Sequence, residues 1–171
     1  RETMLRKLES NEPDLVLMGQ PPNNLDVSAS DFMDNPLLLV AAPDHPMAKS
    51  RNISLESLTS ETFVLREPGS GTRLAMERFF LEYGFQPKST IEMGGNEVIK
   101  QAIEVGLGLS VLSAHTVELE LSANRLITLD VVGMPIIRRW YIAHRTGKRL
   151  TPTAKSFKQF VLDEGERRSK N

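Results

Sequence analysis

A chain of 171 residues that is 40% hydrophobic and 25% charged, with 11 Gly and 10 Pro, can bury a sizeable core; its composition is neither collagen-like nor that of a disordered tail. With 21 basic against 22 acidic residues the formal charge is -1, so the sequence lacks the Lys and Arg excess that gripping a phosphate backbone requires. No run approaches the ~18 apolar residues of a membrane span, the first residues have no secretory apolar region, and the absence of Cys excludes disulfides, thiolate nucleophiles and Cys-ligated metals while fitting a reducing cytoplasm.

In chain order, Met4, Leu5 and Leu8 form a short helical stripe that Asn11-Glu12-Pro13 stops. Leu15-Val16-Leu17-Met18 is an unbroken apolar run and predicts a strand buried on both faces, with Gly19-Gln20-Pro21-Pro22 as the loop at its carboxyl end. A second apolar run, residues 36–42, is closed by Pro43-Asp44-His45-Pro46, and Ser54 caps a short helix over 54–58. Three strand-to-helix units follow. Residues 62–66 are a strand and 72–83 a helix with Met76, Phe79, Phe80 and Tyr83 at helical spacing, ended by Gly84. Residues 91–93 are a strand before a helix that Asn96 caps, with Val98, Ile99, Ala102, Ile103 and Val105 as its apolar positions and Gly106 as its end. Residues 109–112 are a strand before a helix over about 114–122. Residues 125–132 and 138–144 read as strands around Gly133-Met134-Pro135. The last helix has Thr151 as N-cap, Pro152 at its first position, and Ala154, Phe157, Phe160 and Val161 facing inward. This alternation predicts an α/β fold with a mostly parallel sheet.

The most informative segment for chemistry is Arg66-Glu67-Pro68-Gly69-Ser70-Gly71-Thr72-Arg73, a strand end, a Gly-Ser-Gly loop and a helix start. Glycines let backbone approach a ligand closely, and the first free N–H groups with the helix dipole favour a carboxylate or phosphate. Ser70 and Thr72 add hydroxyls, and Arg73 or Arg66 can add a forked cation. Glu67 counts against a purely anionic grip unless it accepts from a ligand hydroxyl or pairs an arginine. The bland alternative is an ordinary capped turn with Arg73 in solvent. Gly94-Gly95-Asn96 opens another helix after another strand and Gln20 follows the first strand, so the carboxyl-end loops of several strands can converge, as in open α/β sheets. There is no Walker A spacing, no HExxH and no GxSxG elbow. His45, His115 and His144 stand far apart, so neither nucleotide hydrolysis, nor a metal site, nor a catalytic triad is indicated.

In order, DLVLMGQPP, PLLLVAAPDHPMA, LREPGSGTRLAMERFF, EMGGNEVIKQAIEVGLGLSVLS and RRWYIAHRTGKRLTPTAKSF resemble the effector-binding region of LysR-type transcriptional regulators over essentially the whole chain. Within that family DLVLMGQPP and REPGSGTR are most similar to the CbbR-type branch that regulates the RuBisCO operon and carbon dioxide fixation. The resemblance implies two Rossmann-like lobes of the type II periplasmic-binding-protein fold, residues 1–38 with 145–171 and residues 39–144, the second including two strands that cross between lobes. It also implies that a winged helix-turn-helix, a linker helix, the first strand and part of the first helix of the first lobe lie outside this sequence. The effector expected in the interlobe cleft is a small anionic or phosphorylated metabolite. The residues carried over for it are Gln20, Glu67, Ser70, Gly71, Thr72, Arg73 and Asn96.

The expected partners are that metabolite and a homo-oligomer, with DNA met only through the winged helix-turn-helix and no membrane contact. No cofactor, no metal and no enzymatic activity are expected, and the expected location is the cytoplasm. Two other readings compete: a solute-binding domain of a transport system with the same fold, and an enzyme using the Gly-Ser-Gly loop for phosphate. An upstream signal peptide would favour transport, and a general base beside a nucleophile would favour an enzyme.

Overall fold

The structure, a computed structural model, describes residues 2–169. The chain divides into two compact units, one of residues 1–35 with 137–171 and one of residues 36–136.

The first unit holds α1 (Glu2–Glu9), β1 (Val16–Gly19), β2 (Val27–Asp34), β8 (Arg139–Arg145) and α5 (Pro152–Ser169). β8 is the central strand, antiparallel to β1 on one side and β2 on the other, which is why it belongs to this unit rather than to the central segment expected to extend to residue 144. β2 was not anticipated. Its Val-Ser-Ala-Ser-Asp-Phe-Met-Asp is too polar to announce a strand, yet it pairs along most of β8 with one irregularity between Asp31 and Met33, and Arg139 of β8 bridges Asp31 and Asp34. Leu8, Val16 and Met18 form a small core, whereas Leu17 is 48% exposed, so β1 is not buried on both faces as its apolar run suggested. α5 packs on β2, and Gly165 makes that approach possible: a Cβ there would stand 1.8 Å from the Phe32 carbonyl oxygen. Thr151 Oγ1 accepts from the Ala154 N–H, as expected of the cap. Ala154 and Val161 are buried, but Phe157 and Phe160, expected to face inward, are exposed.

The second unit contains β3 (Leu37–Ala41), a 3-10 turn (Leu55–Leu58), β4 (Thr62–Arg66), α2 (Gly71–Glu82), β5 (Ser89–Met93), α3 (Asn96–Glu104), β6 (Ser110–Ser113), α4 (Ala114–Ser122) and β7 (Ile127–Thr128). β4 and β5 are parallel, while β3 runs antiparallel to both β6 and β7. Leu109 links the two sets: its N–H donates to the Thr62 carbonyl and its own carbonyl accepts from Val64, each at 2.8 Å. The order across the unit is therefore β5-β4-β6-β3-β7, a mixed arrangement instead of the mostly parallel sheet the alternation predicted. The expected strand over 125–132 shrinks to β7 and a single bridge from Val131 to Ile53.

Successive strand residues point to opposite faces, and the packing follows that period. Leu39, Phe63 and Val111 join α2's Met76, Phe79 and Phe80 in one core. Val40, Val64 and Leu112 join Ile99 and Ile103 of α3 and Val117 of α4 in another. Tyr83 lies over Phe79 with ring centroids 4.7 Å apart while remaining half exposed. Because β4 and β5 are parallel neighbours, the loops that leave their carboxyl ends to enter α2 and α3 lie side by side.

Candidate functional site

The two loops meet through Arg66, the last residue of β4. Its Nε and Nη2 donate to the Glu67 carboxylate, each at 2.7 Å, in the planar fork that suits a guanidinium, and its Nη1 donates to Asn96 Oδ1. The Gly95 N–H donates to Glu67 as well, at 3.4 Å. Glu67 thus pairs an arginine, the condition the sequence set for its place beside an anion. Hydrogen bonding and charge from Arg66 hold its carboxyl down at about 2.

Asn96 is the first residue of α3, not its cap. Gly95 takes the cap position at φ 90°, a left-handed conformation open to glycine, and the Asn96 amide turns to Arg66.

Arg73, in the first turn of α2, is also committed. Its Nε donates to Glu77 at 2.8 Å, one helical turn on, and its Nη1 donates to Glu92 of β5 at 2.7 Å and to the Arg66 carbonyl at 2.9 Å. These two carboxylates raise its already high pKa. The i, i+4 pair with Glu77 was readable from the sequence; the partner on β5, Glu92, was not.

Ser70 is buried and caps α2 in extended conformation, with no hydrogen bond from its side chain to the first turn. The backbone ladder starts at Leu74, whose N–H donates to the Ser70 carbonyl at 3.1 Å. Gly71, Thr72 and Arg73 therefore present the N–H groups that a helix start leaves without an intrahelical acceptor, next to the Ser70 and Thr72 hydroxyls. Glu67, Ser70, Gly71, Thr72, Arg73 and Asn96 form one contiguous group in the second unit; Gln20 lies beyond β1 in the first. Arg66, which the sequence offered as an alternative cation to Arg73, completes the group together with Glu92 and the Gly95 N–H, which the sequence did not single out as site groups.

Among the described residues no group of His, Asp and Glu is arranged to hold a metal ion, and no helix is long and apolar enough to cross a membrane.

The depressed Glu67 carboxyl has a measurable consequence. A carboxyl whose pKa is lower folded than unfolded stabilises the fold above its unfolded value, here 4.5, and loses that contribution as pH falls toward about 2. Glu67→Gln is expected to flatten acid denaturation within this window. Because the Glu67 side chain is 42% exposed, solvent screening should hold the effect below ~1 kcal/mol. Urea unfolding midpoints at pH 6, 4 and 2.5 check it.

Residues 1–166 match the family model for the LysR substrate binding domain. The chain is 57% identical over 167 residues to the RuBisCO operon transcriptional regulator of Allochromatium vinosum, covering 98% of this chain and 55% of that protein. It is 45% identical over 161 residues to the HTH-type transcriptional regulator CbbR of Rhodospirillum rubrum, covering 94% and 53%. The chain spans about half the length of these curated relatives. Among solved structures it superposes on the Synechocystis PCC6803 CcmR regulatory domain in complex with 2-PG with a TM-score of 0.90 at 40% identity, covering 96% of this chain and 79% of that one. LysR regulatory domains have the type II periplasmic-binding-protein fold, to which the mixed α/β architecture described above conforms. These relatives are transcriptional regulators, which leaves the transport reading without support. The family match over nearly its whole length, with relatives this similar, means that the chain belongs to the LysR substrate-binding domain family.

Proposed function

We propose that this chain is the effector-sensing part of a transcriptional regulator of carbon fixation genes, without enzymatic activity of its own, and that it binds a small anionic, phosphorylated metabolite at the turn entering α2. The observation that carries the reading is the likeness to the CcmR regulatory domain, whose structure contains 2-PG. The local chemistry agrees with it: free N–H groups of Gly71, Thr72 and Arg73 at the positive end of a 12-residue helix, beside two hydroxyls, suit a phosphate or carboxylate.

In this reading Ser70, Gly71 and Thr72 meet the anion directly. Arg73 keeps Nη2 for the ligand while Glu77 and Glu92 fix the rest of its guanidinium. Asn96 and Glu67 brace the turn through Arg66. Gln20 is included on the family resemblance. The full-length protein would act in the cytoplasm as a homo-oligomer, contacting DNA through a winged helix-turn-helix. The effector would shift the balance of conformations only as far as it binds them with different affinity.

Isothermal titration of the full-length protein with phosphoglycolate, phosphorylated sugars and nicotinamide phosphates is the test. At least one should bind, and Thr72→Val should weaken it by about 1 kcal/mol, the typical worth of one neutral hydrogen bond. Arg73→Ala should cost more, on the order of 1.5–3 kcal/mol for a charge-assisted contact. Absence of binding by all of these anions, or affinity untouched by both substitutions, would sink the reading.

A further inference from the structure

A carboxylate at the lip of an anion site ought to repel the ligand, since a like charge a few ångströms away disfavours it. Glu67 holds that position: its own carbonyl accepts from the Ser70 N–H at 3.2 Å, so the residue sits within the turn that enters α2. Both its carboxylate oxygens are nonetheless engaged, one by Arg66 Nη2 and the other by Arg66 Nε and the Gly95 N–H. Arg66 in turn has Nε, Nη1 and Nη2 all engaged, the third partner being Asn96 of α3, and its side chain is 18% exposed. A guanidinium so committed is poorly placed to grip a ligand, but well placed to cancel a neighbouring charge and to tie two loops together.

We propose that Arg66 determines the charge selectivity of the turn through Glu67: it neutralises the carboxylate beside the α2 N-terminus and anchors it to the α3 turn, so that the turn admits an anion. This rests on the anion reading above and assigns Arg66 a positioning role rather than a ligand contact. The Arg66–Glu67 pair has no net charge, so the field at the turn is left to the helix N–H groups and to Arg73 with its partners Glu77 and Glu92. Without Arg66 the turn would be one charge more negative; without Glu67 it would be one charge more positive.

The two substitutions should therefore have opposite signs, and a double-mutant cycle in the full-length protein decides it. With phosphoglycolate as probe, Arg66→Met should weaken binding about tenfold or more, and Glu67→Gln should tighten it several-fold. The double variant Arg66→Met/Glu67→Gln should return to within about threefold of the unmodified protein. Arg66→Lys, which keeps the charge and loses only the fork, should retain more binding than Arg66→Met and guards against a folding defect.

Carboxyl NMR supplies a readout that does not need a ligand. Glu67 should titrate near 2 in the unmodified protein and in the ordinary carboxylate range in Arg66→Met. A double variant as weak as Arg66→Met, a Glu67→Gln that weakens binding, or a Glu67 titration indifferent to Arg66 would each overturn the proposal. If no anion binds but the titration moves as described, the neutralisation stands and the anion reading alone falls.

Discussion

Replacing Lys100 with Ala is expected to destabilise the second unit by about 3–5 kcal/mol, the usual cost of stranding one member of a buried ion pair. Lys100 on α3 and Glu120 on α4 are both buried, with Nζ 2.8 Å from Oε1. Burial alone would drive the Lys100 pKa down, but hydrogen bonds to Glu120 and Glu97 outweigh it and raise the pKa. The Lys100 bond in turn lowers that of Glu120. The loss should be unequal between partners. After Glu120→Ala, Lys100 still has Glu97 at 2.9 Å and the Thr116 carbonyl at 3.4 Å. After Lys100→Ala, Glu120 keeps a buried carboxylate whose Oε2 already has no hydrogen-bond partner. Chemical denaturation of both variants should rank Lys100→Ala as the more damaging, and the double change Lys100→Met/Glu120→Leu should recover most of the loss by replacing the pair with apolar contacts. Equal and small effects, under ~1 kcal/mol, would mean that the pair behaves as an exposed one.

That pair also shows where the sequence could be read and where it could not. The β4–α2 unit was legible almost residue for residue because its signals are local: a β-rich strand ending at Arg66, aromatic residues at helical spacing, and Gly84 at φ 61° closing the helix. The neighbouring α3 was located, but its apolar residues did not reveal which of its faces is covered. Val98 and Val105 are among its apolar positions, yet they are 52% and 83% exposed, while Lys100 is buried beside Ile99 and Ile103. Which stripe of a helix is covered depends on what packs against it. A lysine whose partner lies 20 positions on in another helix looks, in one sequence, like a solvated charge.

The candidate site divides in the same way. The Gly-Ser-Gly turn and the helix start were visible as backbone chemistry, since glycine and hydroxyl residues at a strand-to-helix junction constrain local conformation. Partner choice was not visible. Arg66 and Arg73 were equivalent candidates for a free cation, and only the parallel pairing of β4 with β5 brings Glu92 to Arg73 and Asn96 to Arg66. β2 was missed for a related reason: its pairing with β8 joins residues over 100 positions apart, and the alternation of Val27-Ser28-Ala29-Ser30 breaks off at Asp31.

Phe63→Ala should be the most costly single truncation in the core of the second unit, at about 3–5 kcal/mol for a fully buried aromatic. Phe63 is inaccessible to solvent in the middle of β4, and its ring meets Phe80 and Phe85 edge-on at centroid distances of 5.3 and 5.7 Å. Phe80 and Phe85 in turn pack on each other at 4.9 Å, so removal of one ring opens a cavity that the other two cannot fill without breaking their own contact. The same strand registers with Thr90 of β5 and with Leu109, and three residues later it delivers Arg66 to the turn. At roughly 2–4 °C per kcal/mol for a chain of this size, the midpoint of thermal unfolding should fall by about 6–20 °C. Leu81 is the matched comparison, adjacent to Phe80 on α2 but 81% exposed. Leu81→Ala should stay within about 0.5 kcal/mol of the unmodified protein, as exposed positions generally do. Similar losses for the two variants would show that α2 does not present Phe80 inward and Leu81 outward, and the packing that places Arg66, Glu67 and the α2 turn would need to be redrawn.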